Sequence, residues 1–541
     1  VEQRAPLLHG EGGTGKTEVV ELVRRLLNEV FGAGSEIAVA SSNSAARVIG
    51  GQTIHSGFGL SGQQAMTIAR LSGQKVDDIV DRMNDLKAVI VEEVSMVPPQ
   101  LLGAASFRMC KARKAQYNCD VDLYMARGHM FGKAPIVMFL GDFYQLGPVS
   151  GKGRRSSLLQ RESPEAPVHV RNGQSMFLDG VTHAMFLYET HRFKDLLVTP
   201  HAPCPFMPGF LKTMRQGKKF TAEQKRVVQG WVVRPGKNDR RLQDPAVKDG
   251  FEMGIAWEAV HRQMQYRAVR EARDKGQMLL YVQAVDLPPR PFDEGHYKAM
   301  LQVPNVNNTG HLIGMCPLYI GMRVRLNVKL SAKHQIVQDA VGKVVDVRFH
   351  PREFETPDAD WREKKSHDAH RLGYYRCKRL PRCVLVKFDG FTEDLGFGEG
   401  VVQIAPHRAS WEWNHHYLDD GERKLRKVKV TRYQIPLLPE KVRTVQTAQG
   451  LGMDAATMVL QKPMNMGADD WWLHLYVMLS RVRVAHRVLV YNLPPWDILQ
   501  RGPPQYVRDG VKRFEKKMID ESFEIAKQRA QEYGWDVGAG P

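Results

Sequence analysis

The eight residues Gly10-Glu-Gly-Gly-Thr-Gly-Lys-Thr17 constrain the fold of this chain more than any other segment. They match the pattern G-x-x-x-x-G-K-[S/T] of a phosphate-binding loop. The apolar run Ala5–His9 precedes them and a helical pattern over Thr17–Val30 follows, so the loop joins a strand to a helix. Glycines let backbone N–H groups turn inward towards a phosphate, and the helix adds its positive N-terminal dipole. The segment therefore predicts a nucleotide site.

The side chains of this loop have separate expected roles. We expect Lys16 to reach the β- and γ-phosphates during catalysis and Thr17 to give its hydroxyl oxygen to Mg²⁺. The residues expected to bind the nucleotide are Gly10, Gly12, Gly13, Thr14, Gly15, Lys16 and Thr17.

Two acids, Glu92 and Glu93, follow the apolar run Ala88–Val91. Beside a phosphate-binding loop, the first acid is expected to hold Mg²⁺ and the second to orient or deprotonate water during catalysis. Glutamate in the first position is one methylene longer than the more usual aspartate. A misplacement of about 1 Å can lower a rate on the order of a hundredfold, so reduced activity is one expectation.

A third apolar run, Ile136–Leu140, ends in Gly141-Asp-Phe143-Tyr-Gln145. At such a strand end we expect Gln145 to contact the γ-phosphate and Phe143 to face a base. Strand-like runs alternate with helical patterns over residues 1–190, which is typical of an α/β fold. The remaining candidates in this part are strands Ile37–Ser41 and Met185–Tyr188 and helix Pro98–Lys114.

The composition limits the class of protein. The formal charge of +18 favours a polyanionic partner, because Lys and Arg that neutralise phosphates release counterions. No stretch reaches the roughly 18 apolar residues of a membrane span. The six cysteines form no C-x-x-C pair, so the sequence indicates neither a zinc site nor a disulfide framework. The chain begins at Val1, just before the loop, and we expect the natural N-terminus to lie further upstream.

The second half of the chain has a different pattern. After residue 300, short β-like runs separated by charged loops predict a small inserted β-barrel. The basic run Arg423–Arg432 has two interpretations, contact with a nucleic-acid backbone or an edge strand protected by lysines. The last part of the chain, Val511–Glu532, has the pattern of a charged helix.

Several segments resemble, in order, the motifs of PIF-type (RecD-like) DNA helicases of superfamily 1B. The resemblance covers roughly residues 5–495. The segments are Ala40–Gly59, Glu92–Met96, Gly141–Leu146, Tyr188–Asp195, Phe210–Gly217, Gly321–Leu326, Gln338–Val344, Val384–Gly390, Tyr433–Leu437, Val442–Gly450 and Tyr476–Val482.

This resemblance implies an α/β architecture with two RecA-like P-loop NTPase lobes, in which helices flank parallel sheets, and an inserted small SH3-like β-barrel. The expected limits are 1–190 for the first lobe, 191–300 for the start of the second, 301–432 for the insertion, 433–498 for the rest of the second lobe, and 499–541 for a charged, helical C-terminal tail.

The resemblance also implies an ATP- and Mg²⁺-dependent DNA helicase that translocates 5′→3′ on single-stranded DNA. It would unwind duplex or fork DNA in repair, recombination or telomere maintenance, in the nucleus or mitochondrion. Arg192 and Arg481 would reach the γ-phosphate from the second lobe, where a forked guanidinium stabilises the transition state. The residues expected to contact nucleic acid are Asn43, Thr53, His55, Phe58, Phe143, Thr447 and Gln449.

One segment departs from the family pattern. The family's Thr-Ile-His-Lys-Ser-Gln-Gly is Thr444-Val-Gln-Thr-Ala-Gln-Gly450 in this chain, which lacks the Lys and the Ser. This departure and Glu92 together leave open a non-hydrolysing relative that only binds nucleic acid. An RNA-directed motor on the same core is a second alternative, because backbone contacts do not report the sugar.

Overall fold

A computed structural model of the protein describes residues 2–60, 81–148, 156–161, 163–194, 202–234, 239–331, 334, 336–354, 373–419 and 422–533. Within these ranges the chain forms two parallel sheets flanked by helices and a separate group of antiparallel strands. None of the described helices is long and apolar enough to cross a membrane.

The first lobe is built on a six-stranded sheet in which all neighbours are parallel. The five strands predicted from apolar runs are present to within two residues. In spatial order the strands are Gln52–Thr53, Glu36–Ala40, Ala88–Glu92, Ile136–Gly141, Pro6–Gly10 and His183–Leu187.

Helices cover both faces of this sheet, which explains its nearly continuous apolar strands. Along Pro6–Gly10, Leu7 belongs to the core on one face and Leu8 to the core on the other. The α-helices of this lobe are Lys16–Phe31, Asn43–Val48, Ile54–Gly57, Pro99–Tyr117, Met130–Lys133 and Val168–Gly180, with 3₁₀ turns at Val94–Met96 and Val121–Leu123.

The second lobe contains a four-stranded parallel sheet, in the order Val442–Thr444, Phe251–Gly254, Ala456–Val459 and Val488–Tyr491. Two predicted helices, 209–218 and 257–275, are observed close to their expected limits. The α-helices here are Phe206–Gln216, Ala222–Gly230, Pro245–Lys248, Trp257–Asp274, Val445–Ala448, Ala468–Arg481 and Trp496–Leu499, with 3₁₀ turns at Arg240–Gln243 and Ala485–Arg487.

Antiparallel strands occupy the region between the two halves of the second sheet. One group orders as Val401–Ile404, Cys383–Phe388, Val341–Arg348, Arg323–Leu326 and Leu437–Pro439. A mixed group orders as Met315–Leu318, Leu279–Gln283 and Tyr374–Cys377, and a third as His407–Asp419, Glu422–Gln434 and Val285–Leu287. Helix Glu294–Leu301 and the 3₁₀ turn Val306–Thr309 connect them.

The basic run ends in a residue that does not face solvent. Arg432 is fully buried, and its guanidinium donates to both carboxylate oxygens of Asp286 at 2.7 Å. Contact of Arg432 with a nucleic-acid backbone is therefore excluded in this conformation, since a buried ion pair keeps the guanidinium inside the protein. The neighbouring Lys424 and Lys427 are exposed.

The last helix, Gln505–Glu532, begins after the second lobe and packs on the first. Val507, Val511 and Phe514 belong to the core of the first lobe, with the Phe514 ring 5.6 Å from that of Phe177. The C-terminal region was expected to be a charged helix. Its first half is also a core element that joins the two lobes a second time.

Candidate nucleotide site and nucleic-acid surface

The phosphate-binding loop has the backbone that its glycines predict. Gly13 and Gly15 have φ of +88° and +87°, a left-handed conformation that residues with a Cβ rarely adopt. The helix begins directly afterwards at Lys16. The Lys16 ammonium donates to the carbonyl oxygens of Gly10 at 2.6 Å and Glu11 at 2.9 Å, so it lies folded over the loop where a phosphate would bind.

The carboxylates at the end of strand Ala88–Glu92 lie beside this loop. The pKa of Glu92 is raised to about 7, mainly by burial and also by the neighbouring Glu93, while Lys16 opposes the change. Among the described residues, the Oε2 atoms of Glu92 and Glu93 are buried without a hydrogen-bond partner, as is Oε1 of Gln145. Buried oxygens of this kind normally have a partner, so their convergence is suited to binding a cation.

These oxygens fit a magnesium ion. Thr17, Glu92, Glu93 and Gln145 line one cavity of about 420 Å³, and Mg²⁺ prefers oxygen ligands. Within the described part of the chain, no group of three or more His, Cys, Asp or Glu could hold a metal by itself. Protein sites for Mg²⁺ commonly use one or two carboxylates together with water and nucleotide phosphates. Glu92 and Glu93 are the carboxylates that this chain offers at the cavity.

The second lobe contributes two arginines to the same cavity. Arg192 and Arg481 both line it, and both contact Ser480: Arg192 Nη1 donates to its carbonyl at 3.1 Å and Arg481 Nη2 to its hydroxyl at 2.9 Å. Burial lowers the pKa of Arg192 to about 9, with Arg481 and Arg483 adding to the effect and Glu93 opposing it. Two desolvated guanidinium groups thus line the cavity, where they suit an anion such as a phosphate.

The segment before Arg192 is fixed to the loop by hydrogen bonds. The Thr190 hydroxyl donates to the Gly12 carbonyl at 3.1 Å, and the His191 N–H donates to the Gly13 carbonyl at 2.8 Å. A Cβ at Gly13 would lie 2.5 Å from Arg192 Cβ and 3.1 Å from its backbone nitrogen, so this close approach requires glycine. The structure therefore brings together all five predicted catalytic side chains: Lys16, Glu93, Gln145, Arg192 and Arg481.

An ion pair that the sequence does not predict also joins the phosphate-binding loop to the second lobe. Glu11, inside the phosphate-binding loop, forms an ion pair with Arg215 of helix Phe206–Gln216. Arg215 also donates to the Tyr476 hydroxyl at 3.0 Å and lies 5.6 Å above the Tyr144 ring. Arg215 belongs to one of the family-like segments, but nothing local indicates that its partner is a residue of the loop.

Two rings predicted to contact bases, Phe58 and Phe143, are buried in this structure. Phe58 is fully buried, with its ring 5.6 Å from that of Phe131. Phe143 is 4% exposed and lies 5.7 Å from the Phe177 ring, and its N–H donates to Nε2 of buried His9 at 3.1 Å. Both rings fill the core of the first lobe because helices cover the strand ends that precede them.

The polar residues predicted to contact nucleic acid have more accessible positions. Asn43 and Thr53 line a cavity of about 350 Å³ together with the cationic side chains Arg24, Arg47 and Lys329. This cavity lies where the first lobe meets the antiparallel strands, and its charge suits phosphate groups.

The other three predicted contacts differ in their surroundings. His55 is half-buried, and burial lowers its pKa. Thr447 is half-buried and donates to the Thr444 carbonyl at 3.1 Å. Gln449 is buried, and neither amide atom has a hydrogen-bond partner among the described residues. An unsatisfied buried amide is costly, so Gln449 has free donors and acceptors for a ligand.

Comparison with known proteins finds similarity to DNA helicases. Residues 2–181 match the sequence model of the PIF1-like helicases. The chain is 23% identical over 540 residues to the ATP-dependent DNA helicase RRM3 of Saccharomyces cerevisiae, covering 94% of this chain and 65% of that protein's length. It is 33% identical over 151 residues to the ATP-dependent DNA helicase Pif1 of Bdellovibrio bacteriovorus, covering 27% of this chain and 30% of the relative.

Solved structures extend the likeness of the fold to nearly the whole chain. Pif1 helicase from Candida albicans is 19% identical with a TM-score of 0.53, over 94% of this chain and 95% of that one. Pif1 helicase from Bacteroides, in complex with ADP-AlF3 and single-stranded DNA, is 19% identical with a TM-score of 0.54, over 95% and 94% of the two chains. The N-terminal region of the chain is thus similar in sequence to the PIF1-like helicases, and nearly the whole chain shares the fold of the solved Pif1 helicases.

Proposed function

We propose that this chain is an ATP-dependent DNA helicase that translocates 5′→3′ on single-stranded DNA and unwinds duplexes. One observation carries the proposal: the loop and acids of the first lobe share a single cavity with Arg192, which lies against the loop, and with Arg481 of helix Ala468–Arg481 in the second lobe. A site divided between two lobes links hydrolysis to their relative movement, because the arginines stabilise the transition state only when the lobes are closed.

The residues divide the work of hydrolysis as follows. Thr17 and Glu92 would hold Mg²⁺, which would neutralise charge on the phosphate oxygens. Lys16 leaves the loop carbonyls to contact the phosphates. Glu93 accepts the proton of the attacking water, and Gln145 positions that water or the γ-phosphate. Arg192 and Arg481 stabilise the charge that develops on the transferred phosphoryl group.

Two observations support DNA as the partner: the positive charge near Asn43 and the substrates named for similar proteins. Arg47 and Lys329 line the same cavity as Asn43 and Thr53, whereas Arg24 is paired with Glu36 at 2.7 Å. This surface can therefore hold a phosphate backbone without reading bases. The named relatives are DNA helicases, and the Bacteroides Pif1 structure contains single-stranded DNA. We extend this substrate class, including duplex and fork DNA, to the present chain.

We further propose that the antiparallel region is the inserted SH3-like barrel. Its limits are better placed at 279 and 439 than at 301 and 432. Strand Leu279–Gln283 pairs with Met315–Leu318, and strand Leu437–Pro439 pairs with Arg323–Leu326, so both belong to the insertion.

The non-hydrolysing alternative keeps two supporting observations, the longer acid at Glu92 and the altered segment Thr444–Gly450. ATP hydrolysis by the purified chain with Mg²⁺, measured with and without single-stranded DNA, decides between the two. We expect strong stimulation by DNA that is lost in Lys16→Ala. DNA binding with hydrolysis no higher than in Lys16→Ala would favour the binding module. Stimulation by RNA of equal length, in place of DNA, would favour an RNA-directed motor.

A further inference from the structure

A long β-hairpin extends from the antiparallel region. Its strands, His407–Asp419 and Glu422–Gln434, pair antiparallel over thirteen residues each, a length of roughly 40 Å. We call these two strands, residues 407–419 and 422–434, the arm. The base of the arm is anchored, because Trp411, Trp413, Val428 and Val430 pack in a small apolar core with Met300.

Three rings on one face of the arm form a column. Trp413, His415 and Tyr417 alternate along their strand and therefore point to the same side. The ring centroids are 5.1 Å apart between Trp413 and His415 and 5.6 Å apart between His415 and Tyr417, with interplanar angles of 29° and 18°. Phe292 packs edge-on against Trp413 and His415.

The column becomes more exposed towards the hairpin turn. Trp413 at its base is 8% exposed, whereas Tyr417 at its outer end is 36% exposed. A fold that needed these rings only for its core would cover the outer ring as it covers the inner one. The outer ring instead extends an ordered stack towards solvent.

Cationic side chains accompany the outer rings. Arg426 pairs with His415 and Lys424 pairs with Tyr417, so they share the face of the column, and both are exposed. Strand Glu422–Gln434 contains six Lys or Arg residues and one Glu. Planar rings beside exposed cations are the two features that bind unpaired bases and their phosphates without sequence preference.

We infer that the outer end of the arm is a second binding site for single-stranded DNA, with a base stacked on Tyr417 and adjacent phosphates held by Lys424 and Arg426. The inference goes beyond the proposed motor, because the arm shares no residue with the nucleotide cavity or with the Asn43 surface. An acidic protein segment would be attracted by the same charge, but it would have no use for an ordered column of rings.

Photo-crosslinking tests this site directly. Single-stranded DNA that carries 5-iododeoxyuridine is irradiated with the full chain, and the crosslinked peptides are identified by mass spectrometry. We expect a crosslink at Tyr417 or His415 that is lost in Tyr417→Leu, which removes the ring but keeps an apolar side chain. The matched control is Leu425→Ala, because Leu425 is 55% exposed and faces the other side of the arm, opposite His416.

Binding measurements give an independent readout. Combining His415→Ala and Tyr417→Ala should weaken binding of a long oligonucleotide by about five- to 150-fold, the effect of losing one stacked base. Binding of an oligonucleotide of about 8 nucleotides, within the size of one site, and the ATPase activity that it stimulates should not change. Crosslinks confined to the lobes, together with unchanged affinity for the long oligonucleotide, would overturn the inference. A crosslink at the arm of a chain without ATPase activity would contradict only the proposed motor.

Discussion

Glu11 in the phosphate-binding loop and Arg215 in the second lobe form an ion pair that is largely shielded from solvent, with 15% and 13% of their side chains exposed. Arg215 also holds Tyr476, a fully buried residue of helix Ala468–Arg481, and that helix ends in Arg481. The pair therefore connects the loop that binds phosphate to the helix that presents an arginine to it.

Removing Arg215 should be costly, because Glu11 would remain buried without a partner. For Arg215→Ala we expect a loss of roughly 3–5 kcal/mol of stability, as for other broken buried pairs. The double variant Glu11→Gln with Arg215→Ala should recover part of this loss, because the unpaired charge is gone. Thermal or denaturant unfolding of the four proteins in the cycle measures the coupling. Strictly additive effects would show that the pair does not stabilise the contact between the lobes.

The raised pKa of Glu92 predicts that, in the protein without metal, this residue lowers the free energy of unfolding by an amount that depends on pH. The folded-state pKa, about 7, lies above the ordinary 4.5, so the folded protein retains a proton that the unfolded chain releases. The cost is absent below about pH 4.5 and grows as pH rises to about 7, where it reaches about 3 kcal/mol.

Replacement of this acid tests the prediction. Glu92→Gln should raise the melting temperature at pH 8 and change it little at pH 5. Mg²⁺ with nucleotide stabilises the charged carboxylate. Their addition should therefore reduce the difference in melting temperature between Glu92→Gln and the unsubstituted protein at pH 8. An equal effect of the substitution at both pH values would contradict a buried carboxylate with a raised pKa.

The two arginines of the cavity should be needed for hydrolysis more than for binding. We expect Arg192→Ala and Arg481→Ala each to lower the DNA-stimulated kcat by about 10³-fold or more, because an arginine in this role is worth 10³–10⁵. Nucleotide affinity should fall much less. Arg325→Ala is the control, because Arg325 is a buried arginine of the antiparallel region. This substitution should destabilise the fold without a selective effect on kcat. Equal losses of affinity and kcat for the cavity arginines would indicate binding roles only.

The cationic surface should contribute to DNA affinity in a salt-dependent way. Arg47→Ala and Lys329→Ala should each weaken binding to all sequences alike and reduce the slope of log affinity against log salt by about 1. Phe143→Leu is the contrast, since its buried ring should affect stability and not the salt slope. Titrations at several salt concentrations check both. A salt slope unchanged by either cationic substitution would place the DNA elsewhere.

The sequence is sufficient to predict where the residues that follow parallel strands lie. Glu92, Glu93 and Gln145 come at the carboxyl ends of apolar runs, and such ends meet at one edge of a parallel sheet beside the phosphate-binding loop. The pattern therefore predicted their convergence without any knowledge of packing. The two arginines were predicted only through the family-like segments that contain them.

Packing between distant parts of the chain explains what the sequence did not predict. Phe58 and Phe143 resembled base-contacting rings, but Phe131 and Phe177 cover them, and no local pattern predicts this contact. Likewise, Glu11 and Arg215 are far apart in sequence and belong to different lobes. The first half of the last helix was expected to be a charged tail because its three buried apolar residues stand among many Lys, Arg and Glu residues.

Unwinding of partial duplexes tests the central claim most directly. Two substrates with the same duplex carry a single-stranded tail at either the 5′ or the 3′ end of one strand, and strand separation is followed with ATP and Mg²⁺. The account predicts that the 5′-tailed substrate is unwound, that the 3′-tailed one is not, and that Lys16→Ala unwinds neither. Unwinding from the 3′ tail, or none from the 5′ tail by a chain that binds both ATP and DNA, would contradict it.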